Sequence, residues 1–189
     1  MRPSDPGLVA TARPLFEQRG RVVAEWASRL SHLGAGARVF PAELMQRELR
    51  LMVDLVAEMA GPMRREAREL WEKGSEHYGR TAAARGLAAG EVVEELSVLR
   101  EILTRDLAAG VAALRARHSM AVLLHLHRVL DRGIAVAVAG YTDTLVAELF
   151  AHDGVPSAEN ALETADITRQ VEGLELEFRA LRTPPAGGI

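Results

Sequence analysis

The chain contains no cysteine. Disulfides, thiolate zinc sites and cysteine nucleophiles are thereby excluded. Aromatics are scarce, 4% of 189 residues, and the β-branched and aromatic runs that would read as strands are missing. A long apolar run is lacking too. The most apolar stretch, GIAVAVAGYT from Gly133 to Thr142, is ten residues held between Arg132 and Asp143, where a membrane span needs about 20. The N-terminal MRPSDPGLVATARP carries no apolar core of signal-peptide length. Nor does one sign of charge dominate: the net charge is −3, with acids and bases mixed along the chain, so no face is set up for a phosphate backbone. These absences predict a cytoplasmic protein that binds neither membrane nor nucleic acid.

What is present is helix-forming. Apolar residues make up 48% and charged residues 26% of the chain, and Ala, Leu, Val, Glu and Arg dominate. Pro14 suits a first helical turn, and Leu15, Val22, Val23, Trp26 and Leu30 follow at helical spacing to about Ser31. GAGARVFP (34–41) reads as a loop. A second helix from Pro41 carries Leu44, Leu51, Met52, Leu55 and Met59, and stops at Gly61-Pro62. A third runs from Pro62 to about Arg85, a fourth from GLAAG (86–90) to about Arg117, and a fifth from Ser119 to about Ala151. On the fifth, Gly133, Ala137 and Gly140 share a broad face that invites close approach by another helix. HDGVPS (152–157) reads as a loop before a last helix from about Ala158 to Leu181. Sustained period-2 alternation is absent, so the chain is expected to be all-α with about six helices.

The last helix has its own period. Ile167, Val171, Leu174, Phe178 and Leu181 are separated by four, three, four and three residues, the spacing of a coiled-coil seam about two heptads long. Either this seam joins the chain to a partner, or it packs on the domain itself.

Several polar residues fall inside apolar helical arcs. His77 aligns with Met63, Leu70 and Thr81, and Tyr78 sits at the other side of that arc near Trp71. Glu95 and Arg100 flank the Leu96/Leu99/Leu103 stripe, while His127 and Asp131 share an arc with Leu124 and Ile134. Buried charges require partners. Arg100 is therefore expected to meet Asp131 between the fourth and fifth helices, with a histidine nearby, and Arg100→Ala to cost about 3–5 kcal/mol. Such a cluster is either a clamp that fixes helix register or a ligand-sensing pocket. A pocket, if formed, would be lined by His77, Tyr78, His127 and Tyr141, and an inward histidine such as His77 or His127 could ligate haem there, which would make the chain a small-molecule or haem-binding sensor.

Metal and enzyme signatures fail on geometry. His125 and His127 diverge by about 200° on a helix and cannot share an ion. Glu148 and His152 are one i,i+4 pair without the second pair a di-metal bundle uses. GAGARV (34–39) lacks the third glycine and the preceding strand of a dinucleotide fingerprint, and no P-loop, G-x-S-x-G or H-E-x-x-H occurs. No catalytic residue, metal or cofactor is expected.

The stretches VVAEWASRL (22–30), HYGRTAAARGLAAGEVVEELSVLREIL (77–103) and LDRGIAVAVAGYTD (130–143) resemble the N-terminal domain of RsbT co-antagonist proteins of the RsbRD type. The matching positions are Trp26, His77, Arg80, Gly86, Glu95, Leu99, Arg100, Asp131 and Tyr141, over roughly residues 15–150. The resemblance implies a non-haem, globin-like or antiparallel helical bundle, a homodimeric cytoplasmic input domain of bacterial stressosome proteins or sensor kinases. On this basis residues 1–157 are the sensory or regulatory domain, 158–182 a linker or dimerisation helix, and 183–189 a flexible tail. The seam Ile167/Val171/Leu174/Phe178/Leu181 would form the dimer or linker contact. Arg80, Glu95, Arg100 and Asp131 would form the structural clamp, and the two arginines of EHYGRTAAARG (76–86), Arg80 and Arg85, are expected to satisfy carboxylates or carbonyls at the corner where Gly86 ends the helix. No output module is recognisable after residue 182, so the signal would pass to further chain or to a separate signalling protein.

Overall fold

The computed structural model describes residues 6–33, 40–151 and 161–183. These form six helices and no strand: α1 (Pro6–Leu33), α2 (Ala42–Ala60), α3 (Ala67–Ala84), α4 (Ala89–Ala112), α5 (Ala116–Ala151) and α6 (Ala161–Arg182). The all-α expectation is met. The segments read as loops at 34–39 and 152–157, the Glu148–His152 pairing and the tail from residue 184 onward lie outside what is described.

Helix boundaries shift for identifiable reasons. The first helix opens at Pro6 and runs through Pro14, since apolar spacing alone does not register an earlier start. Pro62 does not open the third helix. Residues 61–66 turn first, and the Ala67 amide donates to the Met63 carbonyl at 2.9 Å as α3 begins. The fourth helix stops at Ala112 because Ser119 Oγ donates to the Val111 carbonyl at 2.7 Å, closing the corner into α5.

The α3–α5 pair is the most extensive packing in the bundle; α1 packs on α2 and α4, α4 on α5, and α6 lies across α3 and α2. Small residues let α3 and α5 touch backbone to backbone. A Cβ on Gly79 would collide with the Ala137 carbonyl, and one on Gly140 with the carbonyl of Glu76. The expected small-residue face of α5 is thus used against α3. One core follows, built on Trp26, Trp71, Tyr78, Leu49, Met52, Leu55, Leu96, Leu99, Ile102, Leu103 and Leu130.

The α6 seam is occupied within the chain. Ile167 and Val171 pack with Leu44 and Ala84, Leu174 and Phe178 join the main core, and Leu181 packs at its edge. In this arrangement the seam faces α2 and α3. Ion pairs fringe the seam: Arg47 with Glu175 at 2.8 Å and Glu172 at 3.3 Å, Lys73 with Glu177 at 3.0 Å, and Arg182 with Glu58 at 3.3 Å.

Candidate functional site

The polar side chains inside the bundle converge on the C-terminal half of α3. That half ends in a Schellman turn: Leu87 N–H donates to the Ala82 carbonyl at 3.1 Å and Gly86 N–H to the Ala83 carbonyl at 2.8 Å. Gly86 supplies the required left-handed φ of 77°. The turn leads into α4, which packs on α1 and α5, and the Glu91 carboxylate accepts from Ala88 N–H at 2.6 Å to hold its start.

Around this corner Glu95 of α4 is buried and fully engaged. Arg85 donates to both of its oxygens, at 2.9 and 2.5 Å, and the Tyr78 hydroxyl donates at 2.7 Å. The same residue's backbone carbonyl accepts from Trp26 Nε1 at 2.9 Å. Trp26 in turn stacks on Tyr78 with ring centroids 5.7 Å apart, and the Arg85 guanidinium lies over Tyr78 at 5.6 Å. Burial, seconded by the Glu95 charge, pushes the Tyr78 phenol well above its usual pKa. Tyr78 therefore stays a neutral donor.

A second group adjoins the first. His77 Nδ1 and the Thr81 hydroxyl both bond Glu48 Oε1 of α2, at 2.8 and 2.9 Å. Glu48 and His77 are both buried, yet Glu48 Oε2 and His77 Nε2 have no hydrogen-bond partner among the described residues. His77 also helps to line a groove of about 350 Å³ between α3 and α6, with Lys73, Arg80, Gly173 and Glu177, although its Nε2 is itself buried.

The sequence-derived site residues are distributed differently from expectation. Arg100 and Asp131 do meet, at 2.9 Å between α4 and α5, but their side chains are 29% and 60% exposed. Helical phase placed them near the apolar arc; the actual arc on α5 is narrower, leaving Leu124 exposed as well. The pair is therefore solvated, and the expected 3–5 kcal/mol cost of losing Arg100 does not apply. Arg80 is also exposed and pairs with Glu76 one turn away. Of the expected clamp, only Glu95 is buried. His77, Tyr78, His127 and Tyr141 do not line a common pocket. The Tyr78 ring is enclosed by Trp26 and Arg85, the Tyr141 hydroxyl donates to the Leu87 carbonyl at 2.8 Å, and His127 sits half-buried on α5, outside the network. No described cavity thus sets His77 and His127 up to hold haem. Of the true partners, Arg85 meets the expectation that the arginines before Gly86 satisfy carboxylates at the corner, and only its pairing with Glu95 went unread. Glu48 was missed, although it left a signal, since it falls between Leu44 and Leu51 in the α2 stripe.

Chemically, the Glu95 carboxylate is closed, both of its oxygens being spent on Arg85 and Tyr78, although Arg85 Nε is buried without a partner among the described residues. The Glu48–His77 pair differs, being a carboxylate-oriented imidazole with one nitrogen uncommitted. Among the described residues no three His, Asp or Glu side chains are grouped to hold a metal ion, and no helix is long and apolar enough to cross a membrane. No protein-family model, curated protein or solved structure matches the chain.

Proposed function

We propose that this chain is a non-catalytic input domain of a bacterial signalling protein, acting by protein–protein contact and by self-association through α6. The observation that carries this reading is the docking of α6. Its seam has coiled-coil spacing, yet it is spent on the chain's own α2 and α3, with exposed ion pairs along the edge. Exposed pairs such as Arg47–Glu172 and Lys73–Glu177 contribute little, about 0–1 kcal/mol each, so beyond the Arg182–Glu58 and Arg47–Glu175 contacts the helix is held chiefly by a short apolar stripe. Such an element exchanges readily between the domain and an equivalent helix of a second chain. The resemblance of residues 15–150 to RsbRD-type input domains supports the same reading, because Trp26, His77, Gly86 and Glu95 of the shared pattern are the residues that build the corner at the end of α3. A cytoplasmic setting accompanies that role.

The absence of cysteine makes the test direct. Leu181 continues the seam, whereas Leu176 is exposed on the opposite side of α6. In Leu181→Cys, oxidation should trap an interchain disulfide, while Leu176→Cys should give none under the same conditions. Native mass spectrometry of the unmodified chain should show a dimer. A chain that stays monomeric across the accessible concentrations and does not cross-link at either position overturns the proposal.

A second reading, a small-molecule sensor, is favoured by one observation, the uncommitted Nε2 of His77.

A further inference from the structure

We infer that the exposed face of α5 is an interface between two copies of this chain. The copies pack antiparallel about a two-fold axis at the level of residues 129 and 130. The inference goes beyond the reading of α6, which packs on α2 and α3, and does not depend on it.

The spacing that α6 spends on its own chain recurs on α5 in the open. Leu124, Arg128, Asp131, Ala135, Val138 and Thr142 are separated by four, three, four, three and four residues, the repeat of a helix-pairing seam. Val138 is half-buried and the other five are exposed. They lie on the side of α5 turned away from Gly133, Ala137 and Gly140, the residues that meet α3. The α4–α5 hairpin also carries four of the five exposed large apolar side chains among the described residues. These are Val93, Met120, Leu124 and Val146, and Met120 is 58% exposed. Apolar surface gathered on one hairpin in this way marks a contact face.

The charges on the seam name its occupant. Arg128 has no ion pair or hydrogen bond among the described residues, and Asp131 gives only Oδ1 to Arg100, at 2.9 Å. A parallel pairing of two α5 helices would set each of these groups against its own kind. An antiparallel pairing centred between residues 129 and 130 sets Arg128 against the partner's Asp131, and by symmetry does so twice. The same register lays Leu124 over the partner's Ala135 and Met120 over the partner's Ala139, each time a large side chain on a small one. Ala135 and Ala139 are exposed and let the two helices approach closely. One surface thus supplies both halves of its own complement, and a second copy of the chain satisfies all of them at once.

The test is sedimentation equilibrium on the full chain, with circular dichroism to confirm the fold of each variant. Leu124→Glu enters the seam twice per dimer and should raise the dimer Kd by about a hundredfold. Leu176→Glu, at a position 61% exposed on α6, should leave it unchanged. Arg128→Asp and Asp131→Arg should each pair poorly alone. Mixed together, the two variants restore both ion pairs and should form a dimer about tenfold tighter, or more, than either by itself. A dimer indifferent to Leu124→Glu, or a mixture no tighter than its components, would overturn the inference. A chain that stays monomeric overturns it as well, and the stripe is then left to a partner of another kind. The α6 reading fails separately. Disulfide trapping in Leu181→Cys that persists alongside Leu124→Glu keeps that reading without this interface. A dimer that Leu124→Glu dissolves and Leu181→Cys never traps does the reverse.

Discussion

Glu95 is held by Arg85 through both carboxylate oxygens and by Tyr78 through one of them, at a site only 2% exposed. Removing Arg85 leaves a buried carboxylate with a single neutral donor. Arg85→Ala is therefore expected to lower stability by about 3–5 kcal/mol, measured by urea unfolding. Arg100→Ala, which frees an Asp131 already in solvent, should cost within about 1 kcal/mol. Equal losses in the two variants would mean that Arg85 is not the clamp. This contrast marks how far side-chain roles were legible in the sequence. Helical phase found His77, Tyr78 and Glu95 as inward residues, because each sits on a face with strong apolar neighbours. It misplaced Asp131, whose neighbours Leu124 and Ile134 are themselves only partly covered. Arg85 could be assigned to the corner before Gly86 but not to Glu95, since a residue at a helix end takes its direction from the turn that follows and not from the repeat before it.

At the scale of elements, close approach decides which glycines are needed. Gly79 and Gly140 lie where α3 and α5 meet backbone to backbone, and a methyl group at either position runs into a carbonyl that belongs to a helix and cannot give way. Gly110, on the exposed side of α4, has nothing within 4 Å of its would-be Cβ. Gly79→Ala should accordingly destabilise the fold by about 1–3 kcal/mol through overpacking. Gly110→Ala should stabilise it by about 0.5–1 kcal/mol through helix propensity alone. Thermal unfolding followed by circular dichroism separates the two, and a gain from Gly79→Ala would show that the α3–α5 contact is looser than described. The existence of six helices was readable because each carries its own apolar stripe, with Gly or Pro breaks at most boundaries, though none marks the turn from α4 to α5. The way α6 is used was not, because a seam spaced four and three residues apart serves a partner helix and a two-helix platform equally well.

For the whole molecule, the side formed by α1, α2 and α6 gathers acids under arginines. Asp54 and Glu58 of α2 are covered there, with Arg19 at 3.6 Å from the first and Arg182 at 3.3 Å from the second. Arg182 itself lies over the rings of Phe16 and Phe178, at 4.8 and 5.8 Å, so one guanidinium ties together α1, α2 and α6. Burial outweighs these cations, and both carboxyls are raised above their ordinary values of 3.8 and 4.5. The folded chain thus holds these two protons more tightly than the unfolded chain does. Their contribution to stability is complete below about pH 4 and is lost as the pH climbs through the raised folded values. Replacing both acids, as Asp54→Asn with Glu58→Gln, removes these titrations. The urea midpoint of the double variant should therefore fall less between pH 4 and pH 7 than that of the unmodified chain. If the two curves run parallel over that range, the arginines rather than burial set the charge of this face, and α6 is anchored by ion pairs that persist at neutral pH.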